Sequence, residues 1–206
     1  MTNKDHWERV YTHKAAEAVS WFQPHADTSL RLIGASAMPR SGALIDVGGG
    51  ASTLVDDLLE AGYQDLSVLD LSASALAAAG KRLGARASLV RWIEADITQV
   101  ELPRQVYDLW HDRAVFHFLT TETDRQAYVR QVRQAVKPGG HVIVASFAED
   151  GPSQCSGLPV VRYSPDALHA EFGAPFTLLS HEEDVHHTPF GTVQKFVYCF
   201  CRTAHA

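Results

Sequence analysis

No stretch of 18 or more apolar residues occurs in this chain of 206 residues, so nothing in it reads as a membrane-spanning helix. Cysteine is scarce. Cys155, Cys199 and Cys201 are too few and too irregularly spaced for a disulfide framework, and a reducing, cytoplasmic setting is the expectation. The opening run Met1-Thr2-Asn3-Lys4-Asp5-His6-Trp7 lacks the apolar core of a secretory signal. Basic charge is also short: 18 Lys+Arg stand against 24 Asp+Glu, a net of −6, with no Lys/Arg cluster. Nucleic acid is therefore excluded from the expected partners. There is no internal repeat, low-complexity tract or long polar linker. What remains is a 46% hydrophobic, 20% charged composition, that of one globular unit with a sizeable core rather than a disordered chain, a collagen-like fibre or a coiled coil.

From about residue 42, short apolar runs alternate with helix-like stretches. Ala43-Leu44-Ile45-Asp46-Val47 reads as a buried strand closed by Gly48-Gly49-Gly50, and residues 52–61 carry Leu54, Val55, Leu58 and Leu59 at helical spacing before Gly62. Residues 66–70 predict a second strand, Ser72 caps an alanine-rich helix to Leu83, and residues 88–94 predict a third strand. Residues 106–110 predict a fourth. A helix over 124–136 follows, stopped by Lys137-Pro138-Gly139-Gly140 before a fifth strand over 141–147. Such alternation means a parallel α/β sheet with right-handed crossovers. After a short helix with Ser164 as N-cap and Pro165 in its first turn, residues 176–180 and 193–202 leave no room for a helix between them and predict an antiparallel hairpin. Residues 3–38 predict two helices that cap the edge where the strands end.

The sharpest signal is Asp46-Val47-Gly48-Gly49-Gly50-Ala51-Ser52-Thr53. Glycines at a strand-to-helix turn let the backbone bend tightly beside a helix N-terminus. Asp70 follows the last glycine by about twenty residues, the offset at which a carboxylate accepts a ribose hydroxyl pair. A plain tight turn with Asp70 as a cap is the alternative, and the combination favours nucleotide-type binding. Thr53 stands where a dinucleotide fingerprint wants glycine, and the loop has no phosphate-binding lysine. The carboxylate of Asp46 suits a ligand bearing a positive charge, such as S-adenosylmethionine.

Here the sequence resembles the class I S-adenosylmethionine-dependent methyltransferases, from about Ser41 to Arg202, with the motifs in the family's order. The resemblance implies a three-layer, Rossmann-like seven-stranded α/β sheet, mostly parallel with a C-terminal antiparallel hairpin. It implies one methyltransferase domain over 1–206, with 1–40 as a helical cap and 41–202 as the cofactor-binding sheet. It also implies that Asp46, Gly48, Gly49 and Gly50 hold the methionine part, Asp70 the ribose, Leu71 and Ile97 the adenine, and Asp96 the adenine amino group. Gly49-Gly50-Ala51-Ser52 departs from the further glycine that the family often shows.

The resemblance puts the methyl group just beyond the fourth strand, at Trp110-His111-Asp112-Arg113. His111 is the candidate for a residue beside the donor and for a general base. The alternative is that His111 packs against the cofactor while Asp112 and Arg113 cap the segment to Phe118. The Asn/Asp-Pro-Pro-Tyr/Phe motif of base- and amide-methylating enzymes is missing. The stretches Trp7-Glu8-Arg9-Val10-Tyr11 and Ser20-Trp21-Phe22 are similar to the openings of small bacterial methyltransferases and of eukaryotic lysine methyltransferases acting on elongation factor 1A or citrate synthase. That similarity implies Tyr11 and Trp21 closing over the cofactor. The acceptor expected is a small-molecule nucleophile, with a protein lysine as the alternative, and a nicotinamide-dependent oxidoreductase or a non-catalytic adapter as further ones. Cys199 and Cys201 share one face of a buried strand and read as small hydrophobes, and no metal is expected. Cys155 falls in a substrate-facing loop, and His186-His187 in the hairpin turn.

Overall fold

The structure, a computed structural model, describes residues 3–204; Met1, Thr2, His205 and Ala206, which the one-domain expectation includes, lie outside the described residues. The chain opens with α1 (Asn3–His13), a 3-10 turn (Ala16–Ala18) and α2 (Asp27–Ala35). Then come β1 (Ala43–Val47), α3 (Leu54–Glu60), β2 (Asp65–Asp70), α4 (Ala73–Leu83), β3 (Val90–Glu94) and β4 (Tyr107–Arg113). They are followed by α5 (Glu122–Ala135), β5 (Val136–Phe147), the two-residue strands β6 (Gln154–Cys155) and β7 (Leu158–Pro159), α6 (Pro165–Phe172), β8 (Phe176–His187) and β9 (Val193–Thr203).

Seven strands form one sheet in the order β3-β2-β1-β4-β5-β9-β8. The first five pair in parallel, and β9 runs antiparallel to both β5 and β8. The expected sheet, with its terminal hairpin, is the one observed. Alternation along the central strands divides the core in two. Leu44, Leu109, Ile143 and Ala145 face α2, α3 and α4, whereas Ile45, Trp110, Val142 and Val144 face α5 and α6. The caps read from the sequence are in place: Ser72 Oγ accepts from Ala75 N, and Ser164 Oγ from Ala167 N.

Three boundaries differ from the sequence reading. β4 continues to Arg113, so Trp110-His111-Asp112-Arg113 is strand rather than the segment beyond it. The polar residues there are buried by neighbouring elements, which breaks the apolar pattern without breaking the strand. Lys137-Pro138-Gly139-Gly140 does not precede β5 but bulges within it: Val136 lies opposite Tyr107, and pairing resumes with His141 opposite Leu109. Gly139 takes a positive φ of 74° there. The last hairpin is also longer than expected, because β8 is an edge strand. Its polar run His181-Glu182-Glu183-Asp184 pairs with β9 while offering no apolar alternation to read. His186 and His187 therefore end β8, and the turn lies beyond them. Among the described residues no helix is long and apolar enough to cross a membrane.

Candidate active site

β1 lies between β2 and β4 in the sheet, and the chain leaves these two neighbours in opposite senses. That reversal opens a crevice at the carboxyl ends of the strands, where ligands of open α/β sheets bind. The glycine loop lines it, and each glycine makes room for a protein side chain. A Cβ on Gly48, whose φ is +72°, would overlap Val115 Cγ2; one on Gly49 would overlap the Asp46 carboxylate; one on Gly50 would overlap the Asp70 carboxylate and Ala75. Loop and acids form one packed unit.

Two cavities open on this unit. The larger, about 230 Å³, is lined by Gly48, Asp70, Leu71, Asp96 and Ile97. Its roof comes from α1 and the connector after it. Trp7 packs edge-on against Trp21 (ring centroids 5.6 Å apart) and Phe118 (5.1 Å), and Trp21 Nε1 donates to Tyr11 Oη at 3.3 Å. α1 buries no residue fully. Glu8 helps to seat it by accepting from Ala73 N at the start of α4, a favourable place for a carboxylate. Cys155, expected in a loop, sits in β6, is buried, and lines this cavity. The smaller cavity, about 50 Å³, is lined by Asp46, Gly49, Ser52 and His111. Tyr11, Trp21, Gly48 and Arg113 border both. Of the residues expected to hold the cofactor, only Gly50 lines neither, since it packs under Asp70.

The register explains the acid in the smaller cavity. Asp46 and His111 are direct partners across β1 and β4 and point to the same face. His111 Nδ1 lies 2.7 Å from Asp46 Oδ1, and Nε2 lies 2.8 Å from Ser29 Oγ of α2. All three residues are buried. An ionised carboxylate only accepts, so Nδ1 carries the proton and Nε2 accepts from the serine hydroxyl. Both ring nitrogens of His111 are thus engaged within the protein.

On the other face, Asp112 accepts from Tyr128 Oη at 2.6 Å, from Val115 N at 2.8 Å and from Phe116 N at 3.1 Å. Trp110 Nε1 donates to the same tyrosine oxygen at 2.8 Å. Asp112 therefore caps the turn after β4, as the alternative reading had it, and the turn passes through Ala114 at φ +75°. Burial lifts the Asp112 carboxyl to about 7 against the three donors. Arg113 does not cap. Its Nε donates to Tyr198 Oη at 3.1 Å, its Nη1 to the Trp21 carbonyl at 3.1 Å, and its guanidinium lies 4.2 Å from the Phe196 ring centroid. Arg113 Nη2 is buried without a partner.

Asp70 is buried beneath the larger cavity and accepts from Ser72 N at 2.8 Å. Loss of water raises its carboxyl to about 7, opposed by the Ser72, Gly50 and Leu71 amides and reinforced by the nearby Asp46 charge. Asp96 turns back on its own loop, accepting from Thr98 N at 2.9 Å and Thr98 Oγ1 at 2.7 Å. Sequence reasoning missed Ser29, Phe118 and the site-facing role of Arg113. Ser29 carries no local signal, because only the docking of α2 brings it to His111.

Residues 45–142 match the family model described as a methyltransferase domain. The eEF1A lysine and N-terminal methyltransferase of Mus musculus is 24% identical over 139 residues, 68% of this chain and 20% of that protein. The chain thus spans about a fifth of the length of the curated relatives it matches. Among solved structures, a protein from work on converting a disulfide bond into a thioacetal group during echinomycin biosynthesis superimposes with a TM-score of 0.78. It is 19% identical, covering 98% of this chain and 93% of that one. The Burkholderia thailandensis 1,6-didemethyltoxoflavin-N1-methyltransferase, solved with bound 1,6-didemethyltoxoflavin and S-adenosylhomocysteine, gives 0.68 at 17% identity, over 98% and 87%.

Proposed function

We propose that this chain, a class I S-adenosylmethionine-dependent methyltransferase by its family segment and its fold, moves the methyl group to a small-molecule nucleophile. The residues present fit the cofactor. Asp70 and Asp96 would hold its adenosine end, Leu71 and Ile97 would flank the adenine, and Asp46 would face its amino-acid end. The buried Arg113 Nη2 has no partner for either of its N–H groups, as expected of a group that awaits an acceptor. The cofactor supplies a methyl group on a sulfonium, ready for in-line displacement. The protein's part is alignment and exclusion of water, which the rings of Trp7, Tyr11, Trp21 and Phe118 provide by roofing the larger cavity. We also propose that residues 1–206 act as one domain, with 1–40 as its cap.

One observation carries the small-molecule reading: the larger cavity, where the acceptor would enter, is roofed by the rings of Trp7, Tyr11, Trp21 and Phe118. An acceptor has to fit beneath that roof, which suits a small molecule better than a side chain held on a protein surface. The protein-lysine reading has its own support in the names of the curated relatives. Incubation with methyl-labelled cofactor and a cell lysate separates them. Label is expected in a small-molecule product separated chromatographically from the cofactor, and label confined to protein would overturn the small-molecule reading.

A further inference from the structure

The Asp46–His111–Ser29 chain has a use beyond packing. Its three members come from three separate elements, β1, β4 and α2, and end at a carboxylate lining the smaller cavity. Ser29 also lies beside the Tyr198 hydroxyl, whose partner is Arg113 Nε. A cationic group and an anionic group that border one small cavity are thus each anchored to the same buried polar cluster. Such a pairing matches a ligand end carrying both an ammonium and a carboxylate, at a separation set by the protein.

We propose that Ser29 and His111 are positioning residues that fix Asp46 to receive the ammonium of the cofactor's amino-acid end. The inference rests on the cofactor reading above. Ser29 acts through His111: its hydroxyl meets Nε2 at 2.8 Å and holds the ring in the orientation that keeps Nδ1 on Asp46 Oδ1. Without the serine hydroxyl, Nε2 loses its partner, and the ring is free to turn away from the carboxylate that the ammonium needs. His111 in turn holds Oδ1, which fixes the plane of the carboxylate against Gly49. Neither residue needs to touch the reacting atoms.

The test uses two ligands that differ only at the amino-acid end. S-adenosylhomocysteine has it; 5′-methylthioadenosine keeps the adenosine and sulfur and lacks it. Both are titrated by calorimetry into the full chain and into Ser29→Ala. The readout is the ratio of the two dissociation constants, from which any loss of folded protein cancels. The ratio is expected to rise about tenfold toward weaker S-adenosylhomocysteine, the effect of a hydrogen bond that supports a charged group. An unchanged ratio, whether both affinities fall together or neither moves, overturns the positioning role. Should Ser29→Ala fail to fold, Ser29→Cys keeps the shape with a poorer donor, and a smaller rise is expected against the same overturning result. Failure of the unsubstituted chain to bind S-adenosylhomocysteine overturns the cofactor reading itself, an outcome visible before any variant is made.

Discussion

Asp70 makes cofactor binding a titration. Its carboxyl is held at about 7 in the free protein because burial penalises the charge. A ribose hydroxyl pair donates two hydrogen bonds, which the ionised form accepts on both oxygens, whereas the protonated form turns one oxygen into a donor and accepts them poorly. Binding therefore selects the ionised fraction, and the apparent dissociation constant scales inversely with that fraction. About one molecule in eleven is ionised at pH 6 and about ten in eleven at pH 8, so affinity should fall about tenfold from pH 8 to pH 6. Tenfold is about 1.4 kcal/mol. The sign follows from the raised value: the group is protonated below 7, and acid opposes binding. Calorimetry with S-adenosylhomocysteine in buffers of different ionisation enthalpy reads both consequences. Close to one proton should leave per ligand at pH 6 and almost none at pH 8. Two nearby groups stay out of this window, since burial pushes the Cys155 thiol up to about 12 and the Tyr11 hydroxyl higher still. Asp70→Asn should bind more weakly and lose the slope. A wild-type affinity that changes less than twofold, or an Asn variant with the same slope, would refute the assignment of Asp70 to the ribose.

Tyr128→Phe should cost about 2–4 kcal/mol in chemical denaturation, since it strips one donor from the buried Asp112 carboxylate and leaves the Trp110 indole unpaired. His117 is fully buried, neither ring nitrogen has a partner, and burial holds it at about 3. The unfolded chain takes up that proton near pH 6.5 and the folded chain does not, so stability falls as pH drops from 6.5 toward 3. His117→Phe should remove that loss and raise stability by about 1 kcal/mol at neutral pH; a destabilised variant with intact packing against Phe147 would contradict the reasoning. Trp7→Ala should leave the denaturation midpoint nearly unchanged, because α1 has no fully buried residue, while cleavage by protease near Lys14 accelerates. A large loss of global stability would show that the roof belongs to the core.

The sheet was legible because its signals are local. Alternating apolar runs, the Ser72 and Ser164 caps and the Gly62 stop each fix a boundary within a few residues. The glycine loop and its two acids were legible for the same reason, since spacing along the chain places them at adjacent strand ends. Two kinds of feature were not. The polar second half of β4 looks like a loop, because His111 and Asp112 are buried by partners on α2 and α5 that the local sequence does not contain. Likewise β8 beyond Ser180 owes its extension to pairing with β9, not to its own pattern. Arg113 lies in the stretch already singled out, yet its role is set by Tyr198 and the Trp21 carbonyl, residues far away in the chain.

The fit of each loop glycine to a neighbouring side chain has an evolutionary corollary. Position 49 is closed to a Cβ by the Asp46 carboxylate, not by a ligand. Gly49→Ala alone should therefore be severe, while the same change beside Asp46→Gly, which removes the obstructing group, should be much milder for folding, so that the two costs fail to add. Positions 46 and 49 are then tied as an epistatic pair, whereas position 50 stays closed by Ala75 even without the Asp70 carboxylate. A lineage that abandons the acid frees the glycine, and one that keeps the acid has no other residue to put there.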